Sequence, residues 1–169
     1  MRSLRVAIVP FAACAILVAC GNRSGAGPSG GSYTIAFPST AMAVSTDTVQ
    51  VLVFDVPKDQ SATMCPDLVL KRSSNQDLPP PLIEGPQLSP CDLLDGKGGV
   101  TIPYGTRALF AIGRRGGEDF LVGCAIQTVT ENSLTVPVDL TLVKKTVSLP
   151  EGGAAASCGR LADHCAGKC

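Results

Sequence analysis

The chain has 169 residues, 45% of them hydrophobic and 4% aromatic, with 14 basic residues against 14 acidic ones and a single histidine, His164. Its basic pairs, Lys71-Arg72, Arg114-Arg115 and Lys144-Lys145, are scattered among acids, which argues against a nucleic-acid partner, because binding a polyanion takes clustered cations. A Ser-His-Asp or Cys-His site would have to be assembled around His164 in the C-terminal tail, so nucleophilic catalysis finds little support.

Residues 1–5 carry Arg2 and Arg5, and residues 6–19 form an uncharged apolar run interrupted only by Pro10. That run of 14 residues is shorter than the roughly 20 that a membrane-crossing helix needs. It has the length of a secretory h-region instead. The run closes with Leu17-Val18-Ala19-Cys20-Gly21. This ending resembles the lipobox of bacterial lipoproteins, a resemblance that covers residues 1–21 only. It implies that Cys20 receives a diacylglyceryl thioether, that the signal is cut before it, and that the new terminus is acylated. It also implies a protein held in the cell envelope, contacting the membrane through that lipid. Gly21, in place of Asp, is similar to lipoproteins directed to the bacterial outer membrane. The other reading of the same residues is a cleaved signal whose Cys20 is an ordinary secreted cysteine.

Cleavage before Cys20 takes away Arg2 and Arg5 and leaves 12 basic against 14 acidic residues, a formal charge of −2. Of eight cysteines, Cys14 leaves with the signal and Cys20 goes to lipid. Cys65, Cys91, Cys124, Cys158, Cys165 and Cys169 remain. An even number in an oxidising compartment reads as up to three disulfides, with about 15 connectivities open.

Residues 20–32 read as the lipidated cysteine and a Gly/Ser-rich tether with a reach of roughly 20 Å. Two patterns occur in it, Gly25-x-Gly27-x-x-Gly30 and Gly27-x-Ser29-x-Gly31. A dinucleotide loop or a nucleophile elbow needs a strand before and a helix after, and neither is expected here.

From residue 33 the periodicity is that of strands, and residues 33–149 are expected to form one domain. Residues 33–37 and 41–44 are candidate strands. Residues 48–54 carry apolar side chains on both faces and so predict a central strand. Residues 55–99 hold Pro57, Pro66, Pro79, Pro80, Pro81, Pro86 and Pro90 and read as a long ordered loop with Cys65 and Cys91 as pins, their pairing with each other being one of the open connectivities; only residues 67–71 could form a short strand. Residues 100–102 and 107–114 follow as strands, and Gly116-Gly117 suits a tight hairpin. The return strand, 120–130, places Phe120, Val122, Cys124 and Ile126 on one face, which points Cys124 inward. Leu134, Val136, Val138, Leu140 and Leu142 alternate with polar residues, and Pro137 marks that strand as an edge. Residues 146–149 offer a last piece.

Some seven short strands in antiparallel succession predict an all-β fold, an antiparallel β-sandwich of immunoglobulin-like or transthyretin-like architecture, with a small barrel as the alternative. It would carry the long Pro-rich loop and, over 150–169, a Cys-rich tail.

Four residues of that tail, Cys158, His164, Cys165 and Cys169, are a weak alternative as zinc ligands. Their spacing fits no common zinc pattern, and an oxidising compartment favours disulfides. Asp92 and Asp95 form a formal carboxylate pair, but Asp95-Gly96-Lys97-Gly98-Gly99 reads more simply as a turn without the alternating oxygens of a calcium loop. No cofactor is expected. The sequence thus predicts a lipid-anchored envelope protein with a non-catalytic structural or binding domain, whose partner is an envelope protein or glycan. A periplasmic enzyme or accessory domain acting on cell-wall material is the alternative.

Overall fold

The computed structural model describes residues 30–132, 135–143 and 158–169. In chain order the elements are β1 (Gly30–Ala36), α1 (Thr40–Ser45), β2 (Thr48–Asp55), α2 (Met64–Ser73), β3 (Ile83–Leu88), α3 (Pro90–Leu94), β4 (Ile102–Pro103), β5 (Gly105–Arg115), β6 (Glu118–Val129), β7 (Thr135–Asp139), β8 (Thr141–Leu142) and α4 (Leu161–Cys165). The strands form two sheets, one of three strands in the order β4-β1-β7 and one of five in the order β3-β2-β5-β6-β8. The domain is a β-sandwich.

Between the sheets lies the first core. Ile102, Val136 and Val138, with Tyr33 and Ile35 beside them, meet Val51, Val53, Leu109, Ala111, Phe120 and Leu121. As the alternation predicted, Val136 and Val138 are buried while Thr135, Pro137 and Asp139 face solvent. β7 is an edge strand, so Pro137 deprives no ladder of a donor. β2 is central, paired to β3 on one side and β5 on the other. Gly116 and Gly117, at φ of 58° and 80°, make the hairpin between β5 and β6.

Several expectations are corrected. Pairing is antiparallel except between β1 and β7, which run parallel. A parallel pair needs a long connection, and here the intervening chain builds the other sheet before returning. β1 already begins at Gly30, inside the expected tether. Residues 41–44 belong to helix α1, because the Ser39 hydroxyl accepts from the Met42 amide at 3.2 Å and caps the turn. The stretch 67–71 is helical, within α2, and β3 and α3 add further regular structure to the Pro-rich region.

A bulge corrects the face of Phe120. Gly113 opposes Leu121 and Arg114 opposes Asp119, so Phe120 has no partner of its own in β5. The extra residue reverses the alternation: Phe120 and Leu121 both enter the core between the sheets, whereas Val122, Cys124 and Ile126 face the other way. Leu142 is exposed rather than buried because the chain changes sheets after Leu140, from β7 in the small sheet to β8 in the large one. At that crossing Gly123 is required. A Cβ there would stand 2.3 Å from the Asp139 carbonyl oxygen.

On its outer face the five-stranded sheet carries a second apolar surface, formed by Leu52, Phe54, Ala108, Phe110, Ile112 and Val122. Helix α2 covers it with Leu68, which is buried. The molecule is therefore layered as small sheet, large sheet and helix. Residues 146–149, Leu134 and the signal with Cys20 lie outside the described residues.

Candidate functional site

All six cysteines from residue 30 onward are paired: Cys65 with Cys124, Cys91 with Cys165, and Cys158 with Cys169. Cys65 and Cys91 do not bond each other. Cys165 ties the tail back to the domain, as an odd number of tail cysteines requires. Cys124 finds its partner under α2, on the outer face of the large sheet rather than between the sheets. Cys158, His164, Cys165 and Cys169 do not form a zinc ligand set, because their three sulfurs are all bonded to sulfur.

Helix α2 is fastened at both ends. Cys65, in its first turn, bonds Cys124 of β6, and Arg72, in its last turn, pairs with Asp119. Asp119 also accepts from Arg114 Nε at 3.0 Å, and Arg114 Nη1 donates to Gln50 Oε1 at 3.0 Å. Gln50 is buried, and its Nε2 donates to Glu84 Oε1 and to the Gly85 carbonyl, each at 3.0 Å. This chain of polar groups crosses the large sheet beneath the end of α2. A polar cavity of about 340 Å3 opens beside it, lined by Arg72, Ser73, Asn75 and Asp119.

Two apolar grooves flank the disulfides. One, of about 510 Å3, runs along α2 and includes Cys65, Pro66, Val69, Leu70, Val122 and Cys124. Its Leu70 is 64% exposed. The second, of about 290 Å3, lies where α3 and α4 meet β1, lined by Tyr33, Ile35, Phe37, Leu93, Leu94 and Leu161. Burial raises the Tyr33 hydroxyl above its ordinary value of 10.0, and a backbone hydrogen bond with Val100 opposes this in part. The Cys91–Cys165 disulfide holds the helices that form this second groove.

Asp95, at the end of α3, takes the turn reading, whereas Asp92 lies within α3 and accepts from the Ser89 hydroxyl at 2.6 Å. Both face Lys97, whose Nζ lies 2.8 Å from Asp95 Oδ2 and 3.9 Å from Asp92 Oδ1, and the hydrogen bond to Asp95 raises the ammonium above its ordinary value. Gly96 and Gly98 adopt positive φ in that turn. His164 Nδ1 lies 3.9 Å from Cys158 Sγ. Of the glycine patterns in the tether, only Gly30 and Gly31 fall among the described residues, in β1.

The groove residues Leu70, Leu94 and Leu161 were not singled out by sequence. A signal was present in α2, where Leu68-Val69-Leu70 presents apolar side chains all round one turn, more than one buried stripe can use. No protein family, curated protein or solved structure matches the chain.

Proposed function

We propose that this chain is an exported lipoprotein held in the cell envelope by a lipid on Cys20, with a β-sandwich domain that serves a structural or binding role without catalysis. The pairing of every cysteine from residue 30 onward carries this reading. Three disulfides are the chemistry of an oxidising compartment. They also leave Cys20 as the one cysteine of the processed chain that the disulfides do not use, which suits a thioether. The membrane contact is then the lipid itself, in the outer membrane by the Gly21 criterion.

The disposition of charge supports a non-catalytic role. Asp119 is committed to Arg72 and Arg114, Asp55 to Arg107, and Asp92 and Asp95 to Lys97. A general acid and base would instead need carboxylates converging on a cavity with their protonation set apart. A domain that binds or spaces envelope components, an envelope protein or a glycan, needs no such pair.

Mass spectrometry of the protein made in a lipidating bacterium tests the anchor. The expected mass is that of residues 20–169 with three disulfides plus a diacylglyceryl and an acyl group. A free thiol at Cys20, or a chain starting elsewhere, overturns it.

A further inference from the structure

The three disulfides are not equivalent. Cys65, Cys91, Cys124 and Cys165 are half-buried, whereas the third bond joins a buried Cys158 to an exposed Cys169. It spans a separation of 11 residues within the tail and fastens no part of the sandwich. The Cys91–Cys165 bond keeps α4 beside α3 independently of it. His164, in α4, places Nδ1 3.9 Å from the buried sulfur, Cys158 Sγ.

We propose that the Cys158–Cys169 disulfide is a thiol-exchange site that reacts selectively with external thiol compounds. The thiolate of the external compound attacks Cys169 Sγ, the exposed end. A new sulfur–sulfur bond forms to Cys169, the bond to Cys158 breaks, and its electron pair leaves on Cys158 Sγ. A second thiolate of the same class then attacks the external sulfur of the mixed disulfide. Cys169 is released as a thiolate, and the two external thiols depart joined as a disulfide. Two thiols are oxidised, one protein disulfide is reduced, and both cysteine sulfurs end as thiols after taking up protons. Access decides which sulfur is attacked, and stabilisation of the departing thiolate decides how fast the bond opens. Here the two requirements fall on opposite ends of one bond. A buried thiolate at Cys158 needs a hydrogen-bond donor, and His164 stands where it can donate. Because Cys91–Cys165 survives the reaction, opening this ring leaves the tail attached.

The strongest rival is the Cys65–Cys124 disulfide, which lines the groove along α2. The full chain is treated with reduced glutathione, quenched at intervals by alkylation and mapped by peptide mass spectrometry. The expected first product carries glutathione on Cys169 and the alkyl group on Cys158, and forms about tenfold faster than either other bond opens. His164→Ala is expected to slow that opening about tenfold without moving the adduct from Cys169, and His164→Asn, which retains a donor, to restore part of the rate. Glutathione on Cys158, equal or faster opening of Cys65–Cys124 or Cys91–Cys165, or an unchanged rate in His164→Ala overturns the proposal. Intact thermal unfolding of each variant shows that the comparison is between folded chains.

Discussion

Tyr33 belongs to two environments at once. Its ring packs against the core between the sheets, and its edge lines the groove under α3 and α4. Burial disfavours the phenolate, so the folded-state value lies above the ordinary 10.0 that the unfolded chain shows. The sign follows from linkage. Between the two values the unfolded state has lost the proton that the folded state keeps, so stability falls as pH rises. The contribution is whole below pH 10.0 and is lost as pH climbs through the folded-state value. Urea unfolding followed above pH 10 should therefore decline more steeply for the native chain than for Tyr33→Phe. Lys97, which also titrates in this region, is common to both chains and cancels in the difference. Parallel curves for the two chains would show that the ring is hydrated in the folded state.

Among the elements, α2 shows best why a helix escapes a reading of periodicity. Its only buried residue is Leu68, so no stripe of apolar residues marks it, and Pro66 reads as a loop signal although a first helical turn tolerates proline because its amide has no helical partner. Asp67 in the first turn and Lys71-Arg72 in the last were legible as complements to the helix dipole. Ser89-Pro90 was likewise a legible start for α3, with a serine cap and proline at the first helical position. β3 was hidden by Pro86, which is tolerated because β3 is an edge. The strands of the second half were legible because their alternation is regular, and the two errors there, Phe120 and Leu142, came from a bulge and a change of sheet that no alternation announces. That a tail cysteine must bridge back followed from counting; which one did so depended on where α3 and α4 meet. Removing the Cys65–Cys124 bond tests how much α2 relies on it. The chain-entropy estimate for a separation of 59 residues is about 4 kcal/mol, against about 3 for the separation of 11 in the tail. The Cys65→Ala, Cys124→Ala double variant is thus expected to lose more stability to urea than Cys158→Ala, Cys169→Ala. It should also bind an apolar dye, as Leu52, Phe54 and Phe110 lose part of their cover, while the tail variant should not. Equal losses and no dye binding would assign the hold on α2 to the apolar contacts of Met64, Leu68 and Val69 and to the Arg72–Asp119 pair.

At the scale of the whole molecule, the proposed anchor at Cys20 and the described fold fall on different stretches of the chain. Among the described residues, the two cores are built from residues beyond Gly30, and all three disulfides join residues beyond it as well. If the lipid on Cys20 is the attachment, then changing only the means of export should change only the location. A chain in which residues 1–20 are replaced by an ordinary cleavable export signal is expected to leave the membrane fraction and appear in the soluble one. Its thermal midpoint and its disulfide map should match those of the lipidated chain. Detergent, and not high salt, should release the lipidated chain from membranes, because acyl chains are held by apolar transfer of about 0.8 kcal/mol per buried methylene, which screening does not weaken. Two other outcomes point elsewhere. Persistence in the membrane fraction would place the attachment on the domain surface, where the grooves beside α2 and α4 offer exposed leucines, and a lowered thermal midpoint would make Cys20 or its lipid a contributor to the stability of the fold.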